Sequence, residues 1–307
     1  MSQYLLQARS ESTVSKYFSY FRKWEDFIVR EHACALQAQP IHVALYVSYL
    51  LDKGSSYNVV NAAVYAIKWA HSISSLPDPT ENGFVKNMVE AAKRQERTPR
   101  VKKDCVSSEL LIQLCKKYKD SNDALIVRDL AMIVVSFAGF LRFDELSRLR
   151  MRDVAFNDTY VSLNIEKSKT DQYRFGSEVV ISKGETVACP YRMLERYIKF
   201  SNILEPNDFL FKPFVRSGGV CKPILKCKAL SYTRARECVV QRLKEIDGGL
   251  NLGLHSLRAG GATQAANSDV NDRCWKRHGR WETDVAKDGY VADSLARRLQ
   301  VTQKLGL

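Results

Sequence analysis

Two alternating stretches, Thr159-Tyr-Val-Ser-Leu-Asn-Ile165 and Ser177-Glu-Val-Val-Ile181, decide the fold class of this chain. Apolar side chains at every second position mark strands with one buried face, and the polar run Lys167 to Gly176 between them reverses the chain, so the pair predicts a β-hairpin. On both sides of it the apolar spacing changes to the three-and-four rhythm of helices. Ahead of the hairpin, helices are predicted over about 107–118 and 123–138, broken at Gly139, and a charged one from Arg142 to Arg150. After it they are predicted over about 190–201, 231–247, 256–267, 270–278 and 291–303. Residues 104–307 therefore predict a mainly α domain with a small antiparallel β-sheet or hairpin inside it.

The first part of the chain reads as helix alone. From Ser12 apolar residues fall at 14, 17, 18, 21, 24 and 28 behind a Ser/Thr cap, and further helical patterns follow at about 41–52, 56–73 and 82–94. Residues 1–92 thus predict a separate helical bundle. Between the two lies 93–103, where six of eleven residues are basic (Lys93, Arg94, Arg97, Arg100, Lys102 and Lys103) and Pro99 interrupts any helix. Such a run serves as a solvated linker, or as a strap along phosphates that gains affinity by releasing counterions.

Composition narrows the function. Over 307 residues, 45% hydrophobic and 26% charged match a folded globular protein and exclude a disordered or collagen-like one. Forty-seven Lys and Arg oppose 34 Asp and Glu, and the formal charge of +13 favours a polyanionic partner, nucleic acid first. Both parts share the excess, five charges through Lys103 and eight beyond it. Eight cysteines stand scattered without a CxxC pair, which excludes zinc-finger spacing and disfavours a disulfide framework. They read as reduced, mostly buried thiols of an intracellular protein. No secretory leader opens the sequence, and the longest apolar run, Leu130 to Leu141, is too short for a membrane span and reads as a core helix. No internal repeat is visible.

Three segments place charged or hydrogen-bonding groups in unusual settings. In Gly139-Phe-Leu-Arg-Phe-Asp-Glu-Leu-Ser-Arg-Leu-Arg-Met-Arg-Asp-Val154, Arg142 follows a helix break and stands one turn before Glu145, which by itself is the pattern of a surface ion pair. In Leu254-His-Ser-Leu-Arg-Ala-Gly-Gly-Ala-Thr-Gln-Ala-Ala, His255 and Arg258 are three apart at a helix start, an arrangement suited to a phosphate oxyanion, and small residues after them permit close packing. In Lys276-Arg-His-Gly-Arg-Trp-Glu-Thr-Asp-Val-Ala-Lys-Asp-Gly-Tyr-Val, Trp281 stands nine residues before Tyr290.

Taken in order, Arg-x-x-Glu, a hairpin Lys-Thr, His-x-x-Arg, Trp and Tyr resemble the tyrosine recombinase (phage integrase) superfamily. Leu141-Arg-Phe-Asp-Glu-Leu-x-x-Leu-Arg-x-x-Asp-Val resembles its first arginine box, and His255-x-x-Arg258 its second, with a Cre-like tryptophan where many relatives carry a second histidine. The phrases His255-Ser-Leu-Arg-Ala-Gly-Gly-Ala-Thr and Lys276-Arg-His-Gly-Arg-Trp resemble enzymes of eukaryotic mobile elements of the DIRS and Crypton type.

The resemblance implies a two-domain architecture, with a helical, SAM-like core-binding domain ahead of the catalytic one. It implies Tyr290 as a nucleophile that forms a 3′-phosphotyrosine, and Arg142, His255 and Arg258 as ligands of the nonbridging oxygens. Trp281 would donate its indole N–H, and Glu145 would orient Arg142 or His255. The acid for the leaving 5′-oxygen would be Lys169, followed by Thr170, with Lys167 as the alternative; Trp281 is preferred to His278 because of its spacing to Tyr290. The reaction would use no metal, cofactor or ATP. The implied partner is a double-stranded DNA recombination site, held by a homotetramer on paired sites, with no membrane. In that assembly a C-terminal helix bearing Leu295, Leu299 and Val301 would dock on a neighbouring subunit. A eukaryotic source implies the nucleus, another source the cytoplasm or nucleoid. The rival readings are a domesticated non-catalytic DNA-binding protein and an activity of the type IB topoisomerase kind.

Overall fold

The computed structural model describes residues 2–95, 101–168, 176–203, 205–217, 220–224 and 227–306. The chain divides into two compact units, Met1–Val101 and Lys102–Leu307.

The first unit is all helical: α1 (Ser2–Gln7), α2 (Glu11–Arg30), α3 (Pro40–Asp52), α4 (Tyr57–Ile73) and α5 (Gly83–Gln95). Local chemistry sets these boundaries. Ser10 caps α2 by accepting the Thr13 amide at 3.4 Å, and Pro40 occupies the first turn of α3, where no amide is needed. The core gathers Trp24, Ile28, Val43, Tyr46, Ala63, Ile67 and Val85. Its buried polar groups are paired, as burial demands. The Trp24 indole donates to the Ala35 carbonyl at 2.9 Å, and fully buried His71 bridges the Ile67 carbonyl (2.9 Å) and the Ala38 amide (3.3 Å). Helix α5 continues through Lys93 and Arg94 to Gln95, with basic residues in its last turn where the helix dipole favours them. Arg97 and Arg100 lie outside the described residues. Lys102 and Lys103 are exposed, and Lys103 donates to the Asn251 side chain.

The second unit opens with α6 (Ser108–Lys117), α7 (Ala124–Ala138) and α8 (Phe143–Arg148), followed by a 3-10 turn at Met151–Asp153. Strands β1 (Val154–Phe156), β2 (Tyr160–Ile165) and β3 (Ser177–Ser182) form an antiparallel sheet in that order. Then come α9 (Pro190–Ser201), the two-stranded ribbon of β4 (Phe214–Ser217) and β5 (Val220–Pro223), α10 (Tyr232–Lys244), α11 (His255–Asn267), α12 (Asp272–His278), α13 (Asp284–Asp288) and α14 (Leu295–Gln303).

The expected mainly α fold with a small antiparallel sheet is present. Register pairs Val161 with Ile181 and Leu163 with Val179, so these side chains share the buried face that alternation required. The sheet has a third strand, β1, whose three residues are too few to show a period. The charged helix expected from Arg142 to Arg150 is shorter, because Leu149 leaves helical dihedrals and Arg150 bridges Phe209 instead.

Helix α7 is the axis of this unit, buried on all sides from Val127 to Ser136. It carries a buried ion pair: Arg128 reaches Asp129 through Nη2 at 2.7 Å, and Arg242 of α10 approaches the other Asp129 oxygen at 3.4 Å. The cysteines depart from the expectation of mostly buried thiols. Cys115, Cys189 and Cys238 are buried, but Cys34, Cys227 and Cys274 are exposed, because they lie on turns or solvent-facing helix positions that composition does not reveal. Among the described residues no helix is long and apolar enough to cross a membrane.

Candidate active site

The site begins where α7 stops. Gly139 ends the helix, Phe140 turns the chain at φ 46°, and Arg142 becomes the N-cap of α8. Glu145, at the third helical position, reaches back: Oε2 accepts the Arg142 amide at 2.9 Å, and Oε1 accepts Arg142 Nη1 at 2.8 Å. A carboxylate here satisfies an amide that the helix start leaves unpaired and meets the positive end of the helix dipole. The pair is not on the surface, as its sequence pattern alone implied: the Glu145 side chain is fully buried.

Helix α11 brings the second box. Its glycines let it press against α7 and the chain ahead of α6, since a Cβ on Gly261 would lie 2.3 Å from the Phe137 carbonyl oxygen and one on Gly260 2.1 Å from that of Val106. This approach drives Arg258 into the interior. Its guanidinium is fully buried, donates to the Phe140 carbonyl and to the Gly279 carbonyl at 2.6 Å, and stands 3.9 Å from Glu145. His255, one turn earlier on the same helix, is exposed.

The third segment closes over the second. Trp281 folds back on Gly279 so tightly that a Cβ there would lie 1.7 Å from the indole ring. The Arg258 guanidinium carbon lies 4.4 Å from the Trp281 ring centre and 5.1 Å from that of Tyr290, and the two rings are 5.4 Å apart. Trp281, Trp275, Phe140 and Ala262 form the small core on which Tyr290 packs. The fold therefore joins Arg142, Glu145, Arg258, Trp281 and Tyr290, with His255 on the helix that carries Arg258. Lys169 and Thr170 lie outside the described residues. Lys167 lines a cleft of about 220 Å³ together with Glu145, Arg148, Arg150 and Asp153. His278 is a neighbour of the site: its Nε2 bonds the Ala138 carbonyl at 2.7 Å and its ring stands edge-on to Phe140. Burial first, then Arg280 and Arg258, holds its pKa below the usual histidine range against that bond.

Sequence reasoning missed Arg280. In the run Lys276 to Arg280 it looks like one more solvated cation, yet it is buried at φ 57° and donates to the Gly139 (3.2 Å), His278 (2.7 Å) and Phe140 (3.0 Å) carbonyls and to Glu145 Oε2 (2.7 Å). No spacing rule marks it. The only signal was its position directly before Trp281.

Three guanidiniums thus surround one carboxylate. Burial raises the Glu145 pKa, but Arg280, the Arg142 amide and charge, and Arg258 outweigh it and hold the carboxyl below its ordinary range. Burial also pushes Arg258 down to about 9, aided by Arg142 and Arg280 and opposed by Glu145. The cluster carries two more positive than negative charges in a dry setting, an excess that an anion relieves. Among the described residues, buried Arg258 Nε, Arg280 Nε and Trp281 Nε1 have no hydrogen-bond partner, in contrast to the paired indole of Trp24. Donors in this state suit a multivalent oxyanion. Among the described residues no group of His, Cys, Asp and Glu has the makings of a metal site.

No protein-family model matches the chain. It is similar to an integrase/recombinase xerD homolog of Selenomonas ruminantium, 25% identical over 298 residues that cover 94% of this chain and 83% of that protein. It is likewise 25% identical over 279 residues to the recombinase cre of Escherichia phage P1, covering 86% of this chain and 79% of that protein. Among solved structures, that of the XerH site-specific recombinase bound to palindromic difH substrate, a post-cleavage complex, aligns with a TM-score of 0.61 at 16% identity, over 96% of this chain and 78% of that one. This last likeness is one of fold.

Proposed function

We propose that this chain, a relative of the tyrosine recombinases and integrases, is a site-specific DNA recombinase that cleaves and rejoins duplex DNA through Tyr290 and exchanges strands by way of a Holliday junction. The observation that supports this most directly is the meeting of Arg142, Arg258, Trp281 and Tyr290, from three distant segments, around an excess of buried positive charge with unpaired donors. Tyr290 releases its phenolic proton to water, its Oη attacks phosphorus, the bond to the 5′-oxygen breaks, and a 3′-phosphotyrosine stores the bond for the rejoining step without ATP. Negative charge grows on the nonbridging oxygens as the pentacoordinate state forms. Arg142, His255, Arg258 and the Trp281 indole donate to it, and because these donors are fixed beforehand they lower the barrier rather than the affinity alone. Glu145 and Arg280 hold Arg142 and Arg258 in place. Lys169 gives its proton to the leaving 5′-oxygen, with Lys167 as the alternative donor.

Duplex DNA is the partner, a reading supported by the fold it shares with the XerH site-specific recombinase, whose structure holds a palindromic difH substrate. Both basic units, with Lys93, Arg94, Arg97, Arg100, Lys102 and Lys103, follow its phosphates. Assembly into a tetramer on paired sites uses α14, of which no residue is buried and whose Leu295 and Val301 are 69% and 65% exposed. The resemblance of His255-Ser-Leu-Arg-Ala-Gly-Gly-Ala-Thr and Lys276-Arg-His-Gly-Arg-Trp to DIRS and Crypton enzymes supports reading it as the recombinase of a eukaryotic mobile element that acts on nuclear DNA.

The test uses a nicked suicide duplex carrying the element's terminus, in EDTA. Wild-type protein is expected to form a covalent adduct, and Tyr290→Phe to bind the same DNA without forming one. An adduct in Tyr290→Phe would move the nucleophile to another residue, and none with wild type would favour the non-catalytic DNA-binding reading.

A further inference from the structure

The Tyr290 ring packs on the Trp281 core, but the main chain of its segment has few fastenings of its own among the described residues. It leaves the five-residue α13, ends in α14, which buries no residue, and between them makes only short turns, Tyr290 N to Lys287 O and Val291 N to Asp288 O, each 3.0 Å. Two side chains of α11 supply the missing contacts. Thr263 Oγ1 donates to the Tyr290 carbonyl at 3.3 Å and accepts the Ala292 amide at 3.1 Å. Asn267 Nδ2 donates to the Ala292 carbonyl at 3.1 Å, and its Oδ1 accepts the Ser294 amide at 3.1 Å. Each side chain has both a donor and an acceptor, and each uses both on the main chain.

The spacing explains why these two positions serve. Residues four apart on a helix share a face and rise about 6 Å along the axis. Two residues of extended chain rise about 6.6 Å. Thr263 and Asn267 therefore keep step with 290–294 as a neighbouring strand would, each taking the next carbonyl and the next but one amide. We infer that Thr263 and Asn267 are positioning residues that lay the Tyr290 segment on α11 by main-chain pairing, and so set the distance between Tyr290 and the Arg258 carried by the same helix. This rests on the reading of Tyr290 as nucleophile. A second fastening lies upstream, where buried Lys287 pairs with Asp272 of α12 and sits 4.7 Å above the Trp275 ring. The last bond of the ladder falls at Ser294, the cap of α14, so that helix can change partners without moving Tyr290.

Full-length Thr263→Val, Asn267→Ala and Thr263→Ser test the ladder. Amide exchange without DNA should show Ala292 and Ser294 protected in wild type, Ala292 released in Thr263→Val, Ser294 released in Asn267→Ala, and Ala292 protected again in Thr263→Ser. Single-turnover cleavage of the suicide duplex should fall about 10- to 100-fold in the first two variants, the scale at which misplacement of a reacting group is felt, with DNA affinity unchanged and with recovery in Thr263→Ser. Free exchange at both amides in wild type, protection that persists in the variants, or cleavage falling only as affinity falls would each overturn the inference. Should Thr263→Val fail to fold, Asn267→Ala with Thr263→Ser decides the matter alone, because Asn267 is only half-buried. An adduct formed by Tyr290→Phe would instead remove the parent reading, while the exchange data would still report the ladder.

Discussion

Glu145 accepts the Arg142 side chain on Oε1 and both the Arg142 amide and Arg280 on Oε2, and the consequence of that sharing belongs to single residues. Arg280 donates to three main-chain carbonyls and to Glu145, and each buried acceptor left without its donor costs about 1–3 kcal/mol, whereas an exposed pair contributes under about 1 kcal/mol. Arg280→Gln should therefore lower the urea stability of the second unit by the larger amount. Arg94→Gln, which breaks the exposed pair with Glu90, should leave stability almost unchanged. Arg280→Lys should recover little, since an ammonium cannot span three carbonyls and a carboxylate as a guanidinium fork does. Equal losses from Arg280→Gln and Arg94→Gln would show that the buried cluster is not held as described.

At the scale of elements, α11 is the helix on which the site depends, and its packing reverses what helix propensity alone would imply. Replacing glycine by alanine inside a helix ordinarily stabilises it by about 1 kcal/mol. A methyl group on Gly261, however, would meet the Phe137 carbonyl oxygen at 2.3 Å and the Phe140 ring at 2.6 Å. Backbone cannot yield as a side-chain tip does, so Gly261→Ala should destabilise by about 1–3 kcal/mol, the usual range for overpacking. Urea denaturation measures the sign, and a stabilised variant would mean that α11 does not approach α7 so closely.

For the molecule as a whole, His278 and Glu145 of the second unit both weaken the fold on acidification. His278 is held below its unfolded value, so the unfolded chain takes up the proton first and stability is lost as pH falls below about 6.5. Glu145 is also held below its ordinary value, so its contribution is present above about 4.3 and is lost as pH falls through the carboxylate range. Unfolding midpoints should be flat from pH 8 to 7, decline towards pH 5 and decline more steeply below it, with His278→Gln removing the upper part. A midpoint that rose on acidification would contradict both assignments. Deleting 295–307 tests the opposite expectation, that α14 serves assembly and not folding. It buries no residue, so the midpoint should scarcely move, while light scattering should show loss of tetramers on paired DNA sites. Tetramers formed by the truncated protein would sink the assembly role.

Much of the fold was legible in the sequence because it depends on neighbours within a turn or a strand pair. The apolar rhythm from Val14 to Ile28, the Pro40 start of α3 and the alternation in β2 and β3 each state their element locally, and the order of motifs that resembles the tyrosine recombinases selected Arg142, Arg258, Trp281 and Tyr290 as a group. Elements without enough residues to display a period, β1, α13 and the β4–β5 ribbon, were not legible. Nor was the burial of charge. Whether Arg142 and Glu145 form a surface pair or a buried one, whether Arg280 is solvated or bound to Glu145, and that Thr263 and Asn267 meet the Tyr290 segment all follow from chain segments 25 to 141 residues apart. Periodicity records which face of an element turns inward, but the partner that a polar group finds there is set by how α7, α11 and the Gly279 turn close on one another, and only tertiary structure contains that.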